Sequence, residues 1–153
     1  MNSDLKQYNT LLHDIKLRVR QGQLRANLKA NAEMLAAYWD IGKMIHQRQQ
    51  IEGWGAGVIP RLAKDLKNQL SEIKGFSVRN ISRMVTFYFE YKEITFLPLP
   101  VAKMYSVEYQ VNDLFSVTWT HHIILIEKIK DMSIRLWYMK QIIINGWSKE
   151  TLL

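Results

Sequence analysis

The sequence predicts an all-α domain containing a helix-turn-helix-like or winged-helix-like unit. Apolar residues recur at three- and four-residue spacing through most of the chain. Capping residues stand where that spacing breaks, and only one segment leans toward β structure. The 153 residues make about one ordinary domain, long enough to bury a core without disulfide or metal staples. The 48% apolar share, with five Trp, seven Tyr and five Phe, supplies that core.

Leu5, Tyr8, Leu12, Ile15 and Val19 form the apolar stripe of a first helix, with Ser3 as its N-cap and Gly22 as its end. A second, longer helix is predicted over residues 25–50, with Leu28, Ala32, Leu35, Trp39, Gly42 and Ile45 on one face. Gly42 inside that face costs about 1 kcal/mol relative to Ala, which reads as the allowance for a close helix crossing. The glycine cluster at 53–57 then breaks the pattern. It lacks both the GxGxxG spacing and the preceding strand of a phosphate loop.

Pro60 suits the first turn of the next helix, whose apolar face is Ile59, Leu62, Ala63, Leu66 and Leu70. Lys74-Gly75-Phe76-Ser77 reads as a turn in which Gly75 takes positive φ and Ser77 caps a helix over 78–92. That helix turns Ile81, Met84, Val85, Tyr88 and Tyr91 inward. Pro98 and Pro100 stop any helix there, and residues 101–118 accommodate a small β element or an irregular arm. Helical spacing returns over 120–130 and again from Ser133 to Ile144, closed by Asn145-Gly146. Ser148 caps a further helix that has barely begun at Leu153. The expected organisation is therefore a domain over 1–147, with 148–153 opening a truncated helix.

The chain has no Cys, which excludes disulfides, thiolate nucleophiles and Cys-ligated metals and is compatible with a cytoplasmic location. No apolar run approaches the roughly 20 residues of a membrane span, so no membrane association is expected. Twenty-one Lys plus Arg against fourteen Asp plus Glu give +7, a balance that favours a polyanionic partner. The charge is concentrated in two blocks, residues 1–30 and 58–92, each +4.

The second block coincides with the helix-turn-helix-like unit. In that motif the second helix presents its N-terminal residues to base edges. The outward positions here are Ser77, Arg79, Asn80, Ser82, Arg83 and Thr86, with Lys64, Lys67 and Lys74 placed to hold the backbone. Arg can pair with guanine, Asn with adenine, and Ser or Thr with phosphate. DNA is the expected partner and RNA the alternative polyanion. The rival reading is a homodimerisation or protein-docking module using Trp54, Trp147 and apolar residues within 96–118.

Catalytic signals are weak. Adjacent His121 and His122 diverge by about 100° on a helix rather than converging on a metal, and helix-surface or capping roles suit them and the isolated His13 and His46 better. Asp65-Leu66-Lys67 and Glu72-Ile73-Lys74 match a bare D/E-x-K pattern but lie on a predicted helix, as a solvated face does. Trp39, Trp119, Trp137, Tyr88 and Tyr138 read as core. No catalytic residue, metal site or cofactor is expected in this chain.

Several motifs together resemble a known family. They are Tyr38-Trp39-Asp40-Ile41-Gly42, Gly53-Trp54-Gly55, Leu62 with Asp65-Leu66, and Lys74-Gly75-Phe76-Ser77 followed by Asn80, Met84, Phe87-Tyr88 and Tyr91. Trp119-Thr120-His121-His122, Lys130-Asp131, Arg135-Leu136-Trp137-Tyr138 and Gly146-Trp147-Ser148 continue the series. The chain resembles the N-terminal domain of the YhcG-type bacterial proteins, except over residues 1–25 and 94–118, which match poorly. The resemblance implies a mostly helical domain joined to a C-terminal PD-(D/E)XK nuclease-like domain, in restriction-modification or mobile-element contexts. The nuclease carboxylates and lysine have no counterpart among these 153 residues.

Overall fold

A computed structural model describes residues 2–53, 55, 57–95 and 113–152. Six helices make up the described chain: α1 (Asn2–Glu52), α2 (Val58–Gln69), α3 (Val78–Thr95), α4 (Trp119–Lys128), α5 (Met132–Asn145) and α6 (Lys149–Leu152). No strand occurs among the described residues, so the fold is all-α. Residues 96–112, which include most of the expected β element, and Trp54 lie outside the described residues.

The two helices expected on either side of Gly22 are one, 51 residues long. Gly22 does not take the positive φ of a helix stop, and its neighbours Gln21, Gln23, Leu24, Arg25 and Ala26 are good or fair helix formers. A lone glycine costs about 1 kcal/mol there, too little to end the helix. Ser3, expected as an N-cap, is the second residue of α1. Gly53, at φ +64°, ends it.

Elsewhere the local signals are realised within a few residues. Pro60 sits in the first turn of α2. Thr118 caps α4 by accepting from the His121 amide at 3.3 Å, and Asp131, two residues before the expected start, caps α5 by accepting from Ile134 at 3.1 Å. Gly146 closes α5 at φ +63°, and Ser148 caps α6 through the Thr151 amide.

α3 is the central helix, packed against α1, α2 and α4. It supplies Ile81 to one apolar cluster with Ile45 and Ala63. Phe87 and Tyr91 go to a larger cluster with Leu114, Val117, Leu125, Met139 and Ile142. Phe87, absent from the expected inward set, is fully buried. Trp39 of α1 meets Phe87 and Tyr88 edge-on at 5.6 and 5.1 Å. Beside it Gly42 lies against the Met84 backbone, where a Cβ would stand 2.7 Å from the carbonyl carbon. Trp137, expected in the core, is instead 53% exposed.

His121 and His122 are buried rather than on the helix surface. His121 bridges Thr118 Oγ1 at 2.6 Å and the Trp147 carbonyl at 2.9 Å, so it does serve a cap. Fully buried His122 bonds the Leu114 carbonyl through Nε2 at 2.6 Å. Burial disfavours its charged form and pulls its pKa down to about 4, against the opposing effect of the Leu114 bond. The unfolded chain takes up this proton first, near pH 6.5, so the native state loses stability as pH falls from about 6.5 to about 4. The loss should approach 3 kcal/mol. Urea midpoints measured across that range should fall, and His122→Gln should flatten the slope. A slope unchanged by the substitution would assign the acid sensitivity elsewhere.

Candidate nucleic-acid interface

The connection between α2 and α3, residues 70–77, is the most tightly specified surface feature. Gly75 sits at φ +105°, where L side chains are strained, and a Cβ there would stand 2.8 Å from the Tyr38 hydroxyl. Ser77 Oγ accepts from the Asn80 amide at 3.1 Å and its carbonyl from Ile81 at 2.9 Å. The Asn80 side chain donates to the Gly75 carbonyl at 2.7 Å and accepts from Trp119 Nε1 at 2.8 Å. Tyr38 packs edge-on to Trp119, ring centres 4.9 Å apart. The turn is thus held from α1, α3 and α4 together.

At eight residues, this connection is twice the three or four of a DNA-binding helix-turn-helix. The unit is therefore two helices and a locked loop, without that motif's tight turn. Around the loop, Lys67, Lys74 and Ser77 border a depression of about 260 Å³. The amides of Val78 and Arg79, in the first turn of α3, have no intrahelical partner, and the helix dipole adds positive potential at that end.

The nine expected contact residues divide into two groups. Lys64, Lys67, Lys74, Ser77 and Arg79 are exposed, and the four cations make no ion pair among the described residues. Arg61, one turn before Lys64, is exposed as well; its place in the basic block was the available signal. Thr86 is exposed too, but its hydroxyl is turned back onto α3, and the other three are partly covered. Arg83 pairs with Glu127 at 3.1 Å across to α4, beside a small cavity of about 130 Å³ that Trp119 and Ile123 also line. Thr86 donates to the Ser82 carbonyl at 3.0 Å, and Ser82 is half-buried. Asn80 spends its amide on the loop and on Trp119, so it leaves the base-reading set. Of the expected trio Arg79, Asn80 and Arg83, only Arg79 is without a partner among the described residues.

Among the described residues, this surface gathers the exposed cations Lys64, Lys67, Lys74 and Arg79. The buried polar groups lie deeper and serve packing. Arg135, 2% exposed, donates to Glu90 at 2.8 Å and to the carbonyls of Ile129 at 2.5 Å and Ile126 at 3.5 Å. Its guanidinium lies 5.9 Å from the Tyr91 ring centre. Burial lifts the Tyr91 phenol to about 12 against the pull of that guanidinium. Burial likewise raises Asp113, with Lys140 opposing. Among the described residues, no three His, Cys, Asp or Glu side chains gather into a metal cluster, and no helix is long and apolar enough to cross a membrane.

The residues that carry the family resemblance meet in this arrangement: Tyr38, Gly75, Asn80 and Trp119 lock the loop, and Arg135 ties together the helices behind it. Comparison with curated proteins and with solved structures gives no match. Comparison with protein families matches the DUF1016 N-terminal domain over residues 14–153, which includes all of these residues. The chain belongs to that family, the N-terminal domain family of the YhcG-type proteins.

Proposed function

We propose that this domain binds nucleic acid, DNA in the first instance, through phosphate contacts at the N-terminal end of α3. One observation carries the reading. Lys64, Lys67, Lys74 and Arg79 stand exposed and unpaired, among the described residues, around a rigid loop and helix N-terminus. Helix N-termini flanked by Lys and Arg suit phosphate oxygens. Asn80 and Arg83 are engaged elsewhere, so the contact positions a backbone rather than reads bases. In the YhcG-type arrangement such a domain would deliver a C-terminal nuclease-like domain to its substrate.

Binding of a labelled duplex, followed by anisotropy, separates the two residue groups. Lys74→Ala combined with Arg79→Ala should weaken binding about tenfold or more, with little dependence on sequence. Arg83→Ala should change affinity by less than about threefold, because its charge already faces Glu127. Binding unaltered by the double substitution would refute the proposal. The rival docking reading predicts no duplex affinity at all.

A further inference from the structure

Among the described residues, the N-terminal arm of α1 presents a long apolar surface that no other element covers. From Asn2 to Ala30 every residue is exposed apart from a partly covered Gly22. Leu5, Tyr8, Leu12, Ile15 and Val19 are nevertheless 38–62% exposed in a continuous stripe, with Leu11 beside it. Helices in proteins draw most of their stability from packing an apolar face, and contiguous exposed apolar surface marks a contact site.

The spacing within the stripe is 3, 4, 3, 4, the heptad seam of a two-stranded coiled coil. At 3.6 residues per turn the stripe lies roughly 130° around the helix from the core-facing Leu35, Gly42 and Ile45. It is therefore not an overhang of the domain core, and no helix among the described residues covers it.

We propose that the occupant is a second copy of the same arm, packed antiparallel. The heptad seam suits a second identical arm, and charge selects the direction. Residues 2–15 carry −1 and residues 16–30 carry +5. Parallel pairing would stack the two +5 halves on each other, whereas antiparallel pairing sets each −1 half against a +5 half. Covering six apolar side chains on each copy, at roughly 100 Å² apiece, removes about 1,200 Å² from water. That reaches the lower bound of a specific interface. Pairing centred on Leu12 and Ile15 places Tyr8 opposite Val19 of the other copy.

Sedimentation velocity on the full 153-residue chain should show a concentration-dependent dimer. Leu12→Glu with Ile15→Glu should give a monomer whose aromatic circular dichroism is retained, since the core lies elsewhere. Because the chain has no cysteine, disulfide trapping is clean and does not depend on that variant. Tyr8→Cys mixed with Val19→Cys should cross-link on oxidation. Tyr8→Cys alone should not, because the two copies of residue 8 would lie about 16 Å apart, beyond disulfide reach. A chain that stays monomeric to about 100 µM, or a dimer that survives the double Glu substitution, overturns the proposal. Ready self-cross-linking of Tyr8→Cys overturns the antiparallel direction. The seam lies outside the Lys74–Arg79 surface, so either proposal can fail while the other stands.

Discussion

Arg135→Ala should destabilise the domain by about 3–5 kcal/mol, among the largest effects of any single substitution here. The guanidinium is buried and is the shared partner of three elements: Glu90 on α3 and the Ile126 and Ile129 carbonyls at the C-terminal end of α4, reached from α5. Truncation leaves those carbonyls short of a donor and Glu90 without its counter-charge. For a domain whose total stability is on the order of 5–15 kcal/mol, that is a third or more. Glu90→Gln should cost clearly less. The Glu90 side chain is 33% exposed, so water screens what the pair contributes, and the two carbonyl contacts survive. Arg135→Lys should fall between, because one ammonium cannot span three acceptors set for a planar fork. Chemical denaturation followed by circular dichroism would rank the three. An Arg135→Ala loss below about 1 kcal/mol would contradict this role.

Gly42→Ala should be nearly as damaging, at about 3 kcal/mol or more, although Ala is the better helix former by about 1 kcal/mol. The added Cβ would fall on the Met84 carbonyl and within 3.2 Å of Tyr88 Cβ. Backbone cannot swing aside as a side-chain tip can, so α1 and α3 would have to separate and open the cluster around Trp39. Gly22→Ala in the same helix is the internal control. Its Cβ meets only the Arg18 guanidinium, at 3.3 Å, and the exposed arm should gain up to about 1 kcal/mol of helix propensity. Opposite signs from one substitution at two glycines of one helix would show that the crossing, not the helix, requires Gly42. Thermal melts of both variants would settle the comparison.

Features set by a few neighbouring residues were legible in the chain. The Gly75 turn, the Ser77 cap, Pro60 in a first turn and Gly146 closing α5 each depend on local backbone chemistry, while Gly42 announced a close crossing but not its partner Met84. What escaped sequence reading depends on residues far apart. Arg83 finds Glu127 across 44 positions and Arg135 finds Glu90 across 45, while Trp119 reaches Asn80 across 39. No periodicity encodes such partners. They convert two predicted base readers, Asn80 and Arg83, into structural residues; likewise Phe87 and Tyr91 of α3 pack over His122, which a helix wheel leaves at the surface. Gly22 misled for a different reason, since a glycine stops a helix only when the chain also needs its left-handed conformation.

The central claim, that four exposed cations around the α3 N-terminus grip phosphates, is tested most directly by the salt dependence of duplex binding. The logarithm of the association constant should fall linearly with the logarithm of salt concentration, with a slope of roughly −3 to −4 for four contacts. Each of Lys64→Ala, Lys67→Ala, Lys74→Ala and Arg79→Ala should reduce the magnitude of that slope by about one. A flat dependence, or a slope that survives removal of all four charges, would contradict it.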